Sequence, residues 1–111
     1  MATEINRKRR GHNFYPPKAE ARKVPALGTT DGQGKDATVW LHYFAPSGDW
    51  YITEADFDTG EAFGWADLGY GEFGYMSLPE MEAVMVGVFG IIERDLYWDP
   101  KPLSEVLAAR V

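Results

Sequence analysis

The sequence predicts an α+β domain, an antiparallel four-stranded meander with short helices on one face. Three observations predict it. The chain has 111 residues, enough for one core and too few for two. Between residues 37 and 76, runs of β-branched and aromatic residues alternate with turn residues. From Ser77 the apolar spacing changes to a helical period. Strands that come first and helices that follow make segregated layers, not alternating βα units.

The elements follow in order. Pro16 and Pro17 can open a helical turn over residues 18–23, because proline suits the first helical position. Pro25 stops it. Residues 28–36 are a polar, glycine-containing loop. Residues 37–45 read as a central strand, with Val39, Leu41 and Tyr43 on one face and Trp40 and Phe44 on the other. Pro46, Ser47, Gly48 and Asp49 form a turn, and residues 50–56 return as the second strand of a hairpin. After a turn at Asp58, Thr59 and Gly60 come strands over residues 62–66 and 72–76. Gly64 and Gly74, inside strand patterns, mark bulges or close backbone packing. Ser77, Leu78, Pro79 and Glu80 make a capping box with proline in the first turn. Leu78, Met81, Val84, Met85 and Val88 then predict a helical stripe ending between Gly87 and Gly90. Residues 91–98 read as extended, Asp99 to Pro102 as a breaker, and Leu103, Val106 and Leu107 as a last short helix.

Charge is distributed unevenly. Residues 1–24 hold seven bases against two acids, a net of +5, and residues 25–111 hold four against fifteen, a net of −11. The expected organisation is a basic flexible arm over residues 1–15 and one domain over residues 16–111. Arg7, Lys8, Arg9 and Arg10 are the arm's candidates for nucleic-acid contact, since clustered bases attract phosphate. A simpler alternative folds this arm onto its own acidic body. The basic start has no apolar stretch behind it, so it is not read as a secretory signal, and a cytoplasmic location is expected. No apolar run approaches the roughly 18–20 residues of a membrane span.

The motifs exclude more than they identify. Cysteine is absent, which removes disulfides, thiolate metal sites and a cysteine nucleophile. Gly69, Gly71 and Gly74 match a dinucleotide fingerprint by letter, but they lead into a strand, where a helix is required. Gly28 to Lys35 is one residue too long for a phosphate loop, and Asp36 stands where Ser or Thr belongs. Asp56 to Gly60 lacks the spacing and the twelfth-position Glu of a calcium loop. No serine lies in a G-x-S-x-G setting. His42 reads as a half-buried hydrogen-bonding residue. No catalytic residue, metal site or cofactor is expected.

Sixteen aromatics exceed what one small core needs, so some of Trp50, Tyr51, Trp65, Tyr70, Tyr75, Tyr97 and Trp98 should reach the surface. Arg94, one of four bases in the body, stands between Glu93 and Asp95 and reads as a structural ion pair or as an arginine offered to a partner. The partner-binding candidates are Trp50, Glu54, Trp65, Tyr70, Glu93, Arg94 and Asp95.

From Lys23 onward the chain resembles a small family of unknown function found in bacteria, plasmids and phages. The resemblance rests on Val24, Pro25, Ala26 and Leu27; on Thr38 through Phe44 leading into Ala45 and Pro46; on Trp50, Tyr51, Ile52, Thr53 and Glu54; on Phe63 and Gly64; on Glu72 through Met81; on Ile91, Glu93, Arg94, Asp95, Leu96 and Tyr97; and on Lys101, Pro102 and Leu103. It covers most of residues 16–107. The connection from Asp56 to Gly60 is short where relatives often carry a longer insertion, and Trp65, Ala66 and Asp67 replace a more apolar stretch. The resemblance implies a domain often carried on mobile elements and no catalytic residues to transfer. Glu54 and the Glu93, Arg94, Asp95 triplet stand out as costly to keep for packing alone.

The expected function is therefore a non-enzymatic binding module, an accessory or anti-defence protein of a phage or mobile element. Its acidic, aromatic-rich body would bind a basic surface of a nucleic-acid-processing protein. The alternatives are a nucleic-acid or ribonucleoprotein component anchored by the arm, a small hydrolase using Glu54, Asp95 or His42, and a virion or structural component.

Overall fold

The computed structural model describes residues 3–86 and 90–109. Its elements are α1 (Arg7–Arg10), α2 (Lys18–Ala21), β1 (Thr38–Val39), β2 (Leu41–Ala45), β3 (Gly48–Asp56), β4 (Glu61–Asp67), β5 (Gly71–Ser77), α3 (Leu78–Ala83), β6 (Met85–Val86), β7 (Gly90–Ile91), β8 (Glu93–Arg94), β9 (Lys101–Pro102) and α4 (Leu103–Ala109). The main sheet runs β5-β4-β3-β2-β8, and every pairing in it is antiparallel. The predicted meander is its first four strands in order, and β8 adds a fifth at the β2 edge.

Each face of the sheet carries a core. Trp50, Ile52 and Ala55 of β3 join Leu41, Tyr43, Phe14, Tyr15, Leu78, Met81 and Ile92 in the larger core. Tyr51 points the other way and joins Val39, Leu103 and Val106, with Trp65, Trp98 and Leu107 at the margin. Neighbouring residues of a strand face opposite sides, so β3 serves two cores at once. Thus α3 and the N-terminal segment cap one face and α4 the other, where the sequence pattern placed the helices on one face.

Three local expectations change. The strand over residues 37–45 breaks at Trp40, whose N–H bonds to Ile52 O at 2.8 Å. Before the break β1 pairs with β9, which carries Val39 to the core opposite Leu41 and Tyr43. The helix after Ser77 spans only six residues. Ser77 Oγ accepts from Glu80 N–H as the capping box predicts, but Val84 is already extended and β6 turns back on β7. Met85 therefore does not continue α3, and Gly87 and Val88 of the expected stripe lie outside the described residues.

The largest correction concerns the basic arm. Residues 3–15 are not a free arm; they are part of the domain. Phe14 is fully buried, stacked on Tyr43 with ring centroids 4.4 Å apart, and Tyr43 donates its hydroxyl to Phe14 O at 2.8 Å. Burial pushes the Tyr43 phenol far above its ordinary value. Arg10 is 5% exposed. Its guanidinium reaches Glu82 at 3.0 Å, Glu4 at 3.3 Å and Ile92 O at 2.9 Å. Glu82 in turn accepts from Ile5 N–H at 2.8 Å and Asn6 N–H at 2.9 Å. The segment is held by a charge network that requires its geometry, because a buried ion left unpaired is strongly unfavourable. The simpler alternative, an arm folded on its own acidic body, describes residues 3–15.

Candidate functional site

The β4–β5 hairpin builds an aromatic surface. Register sets Phe63 opposite Tyr75 and Trp65 opposite Phe73. These four rings share one face of the sheet and touch each other, with centroids 5.0 Å apart for Phe63–Tyr75 and for Trp65–Phe73. Tyr75 is 68% exposed and Tyr70, at the hairpin tip, is 75% exposed. The described part of α4 spans seven residues and covers this face only near Tyr51 and Trp65, so the β5 end stays bare. Beside it the loop over residues 28–36 and Phe63, Phe73, Thr53 and Ala37 line an open, largely apolar pocket of about 350 Å³.

Glu54 positions that loop. It is 2% exposed, next to the irregularity in the β3–β4 ladder between Ile52 and Glu54. Its carboxylate accepts from Gly28 N–H at 2.8 Å, from Thr30 N–H at 2.6 Å and from the Thr30 hydroxyl. Burial pushes the Glu54 carboxyl up, but the Thr30 hydroxyl and the two backbone N–H groups outweigh it and hold it below its ordinary value. Its lone pairs are committed to the loop. Glu54 is a clamp, not a residue offered to a partner.

On the same face, His42 stacks on Tyr51 with centroids 4.7 Å apart and lies between two carboxylates. Nε2 is 2.7 Å from Asp49 and Nδ1 is 3.0 Å from Asp95. A base must keep one ring nitrogen free to take a proton from a nucleophile. Both nitrogens of His42 already face carboxylates, so the group fastens the C-terminal segment to β2 and β3. Backbone Asp95 N–H to His42 O at 2.8 Å reinforces the fastening. The hydrolase reading needed Glu54, Asp95 and His42 to gather about a pocket. Asp95 and His42 meet, while Glu54 is turned to the loop. Among the described residues no group of three His, Asp or Glu could hold a metal ion.

The remaining expected site residues separate by burial. Trp50 is 9% exposed and belongs to the larger core, which removes it from the partner-binding candidates. Glu93 meets His12 at 3.3 Å. Arg94 donates through Nε to Asn13 O at 3.2 Å and lies 3.7 Å from Glu20, which is the structural ion-pair reading. Asp95 also accepts Tyr97 N–H at 3.0 Å. These three hold chain segments together. Trp65 is half-buried, with the Lys35 ammonium 5.4 Å above its ring. Its buried indole N–H has no hydrogen-bond partner among the described residues and lies against Gly71, where a Cβ would stand 2.1 Å away. Tyr70 and Trp65 thus remain on the accessible surface, joined by Phe73 and Phe63, which the sequence reading did not single out. The signal for them was the β5 alternation itself, with Phe73 and Tyr75 on one face and Glu72, Gly74 and Met76 on the other.

Arg10 is also corrected as a nucleic-acid candidate, because its guanidinium is turned inward. Arg7 bonds Asn13 Oδ1 through Nε at 2.6 Å, and Lys8 and Arg9 are exposed. Among the described residues, no helix is long and apolar enough to cross a membrane.

The model of a protein family of unknown function, DUF2958, matches residues 18–110, and the chain belongs to that family. No curated protein and no solved structure matches the chain.

Proposed function

With membership of this family as the premise, we propose that the protein is a non-enzymatic binding module. Its acidic body, through the aromatic surface of β4 and β5, binds a basic surface of a nucleic-acid-processing protein. The observation that carries the reading is the exposure of Tyr70, Phe73 and Tyr75 on a body of net charge −11 over residues 25–111. Exposed aromatics in a cluster supply contact area at low entropy cost, and the surrounding acids select a basic partner. The inward turn of Arg10 weighs against the arm-anchored nucleic-acid reading. The resemblance to a family carried by plasmids and phages supports an accessory or anti-defence role within that setting.

An affinity pull-down from the native host, with and without nuclease, tests it. A partner retained after nuclease and lost when Tyr70→Ala and Tyr75→Ala are combined is the expected result. The loss should be at least about tenfold, the scale of a hot-spot residue. Recovery that disappears with nuclease would reject a protein partner.

A further inference from the structure

The two edges of the main sheet differ. The β8 edge is two residues long, and the β5 edge is seven. At one end of the β4–β5 ladder Leu78 N–H bonds to Gly60 O at 2.8 Å, and at the other Leu68 N–H bonds to Tyr70 O at 3.4 Å. The register between them runs unbroken from Glu61 opposite Ser77 to Asp67 opposite Gly71. Antiparallel pairs alternate between bonded and non-bonded positions. Glu72, Gly74 and Met76 therefore turn their N–H and C=O groups toward β4. Gly71, Phe73, Tyr75 and Ser77 turn theirs away, and no described strand pairs with them. Natural edges are shielded by proline, lysine or a bulge. β5 has none of these, and its only charge is Glu72.

We propose that β5 takes an extended, basic segment of a protein partner as a sixth strand of the main sheet. The proposal rests on the binding reading above and specifies its mode. Main-chain bonds to Phe73 and Tyr75 hold the segment, and side chains alternate across it. Apolar side chains meet the Phe73 and Tyr75 rings, and lysine or arginine on the other face meets Glu72. Asp67 and Glu61, at the two ends of β4, flank the aromatic pair with more negative charge. Charge decides against a second copy as the occupant. Each copy carries a net −6, and self-pairing would bring both sets of edge acids together.

The full chain is tested at low salt with two synthetic decapeptides, one alternating lysine and valine and the other alternating glutamate and valine. The lysine peptide should slow amide exchange at Phe73 and Tyr75, and the glutamate peptide should not. Tyr75→Ala removes the ring, and Tyr75→Pro removes the ring and the outward N–H without touching the β4 ladder. Tyr75→Pro should weaken the lysine peptide at least about tenfold beyond Tyr75→Ala, the cost of a lost main-chain bond with its strand geometry. Equal affinity for the two variants overturns strand addition, as does protection elsewhere or no protection in the wild-type chain. The exchange measurement needs no variant, so misfolding of Tyr75→Pro cannot hide the answer. If the native partner is captured equally by Tyr75→Pro and Tyr75→Ala, the binding reading stands and strand addition fails. Self-association of the wild-type chain through β5 would assign the edge to a second copy and reject the basic partner.

Discussion

Glu54 shows how a carboxylate can be kept for structure. Its folded value is held below the ordinary 4.5, so the unfolded chain binds the proton more readily in the interval between the two. The stabilisation is fully present above pH 4.5 and is lost as the pH falls through the folded value. Denaturant titrations at decreasing pH should show this loss. Glu54→Gln should flatten the acid limb and lower stability at neutral pH by about 1–3 kcal/mol, because the Gly28 and Thr30 N–H groups lose a charged acceptor. An unchanged acid limb would mean another carboxylate governs it. Sequence singled out Glu54 as chemically costly, and the structure explains the cost. The donors are Gly28 and Thr30, some two dozen residues away, and no spacing rule connects them.

At the scale of elements, local signals worked where one strand or turn decides the outcome. The capping box at Ser77, the hairpin that joins β2 to β3 and the strand over residues 72–76 were all legible, because each depends on neighbours in sequence, although the turn is tighter than residues 46–49 because Gly48 and Asp49 already pair in β3. The helix length was not. Val84 and Met85 keep a helical spacing, but the backbone is extended from Val84, and β6 pairs with β7 instead. Gly64 carries a sharper prediction. A Cβ there would stand 1.9 Å from Tyr51 O, across the ladder from Ile52. Gly64→Ala must push β3 and β4 apart in the middle of the sheet, and a loss of about 3 kcal/mol or more is expected by chemical denaturation. Gly74→Ala, where a Cβ meets nothing within 4 Å, should cost far less. Replacing glycine by alanine by itself lowers the entropy of the unfolded chain and favours folding, so a comparable loss for both would rule out close approach at Gly64 as the cause.

At the scale of the whole molecule, four adjacent bases have different roles. Arg10→Ala would leave Glu82 buried with its cation gone, and a loss of about 3–5 kcal/mol is expected. Lys8→Ala, on the exposed side of the same turn, should stay within about 0.5 kcal/mol. Thermal unfolding of the two variants checks this, and equal, negligible effects would restore the free arm. Composition and period by themselves determined the α+β class, the strand order of the meander, the charge asymmetry and the chemistries that lack their residues. These follow from propensity and spacing, which act between near neighbours. Tertiary structure alone decided that Arg10 turns inward, that Trp50 and Glu54 are buried while Tyr70 and Tyr75 are not, and that β5 keeps an open edge. Each of those depends on which distant segment arrives to cover a face or complete a charge, and that contact is set only when the chain closes on itself.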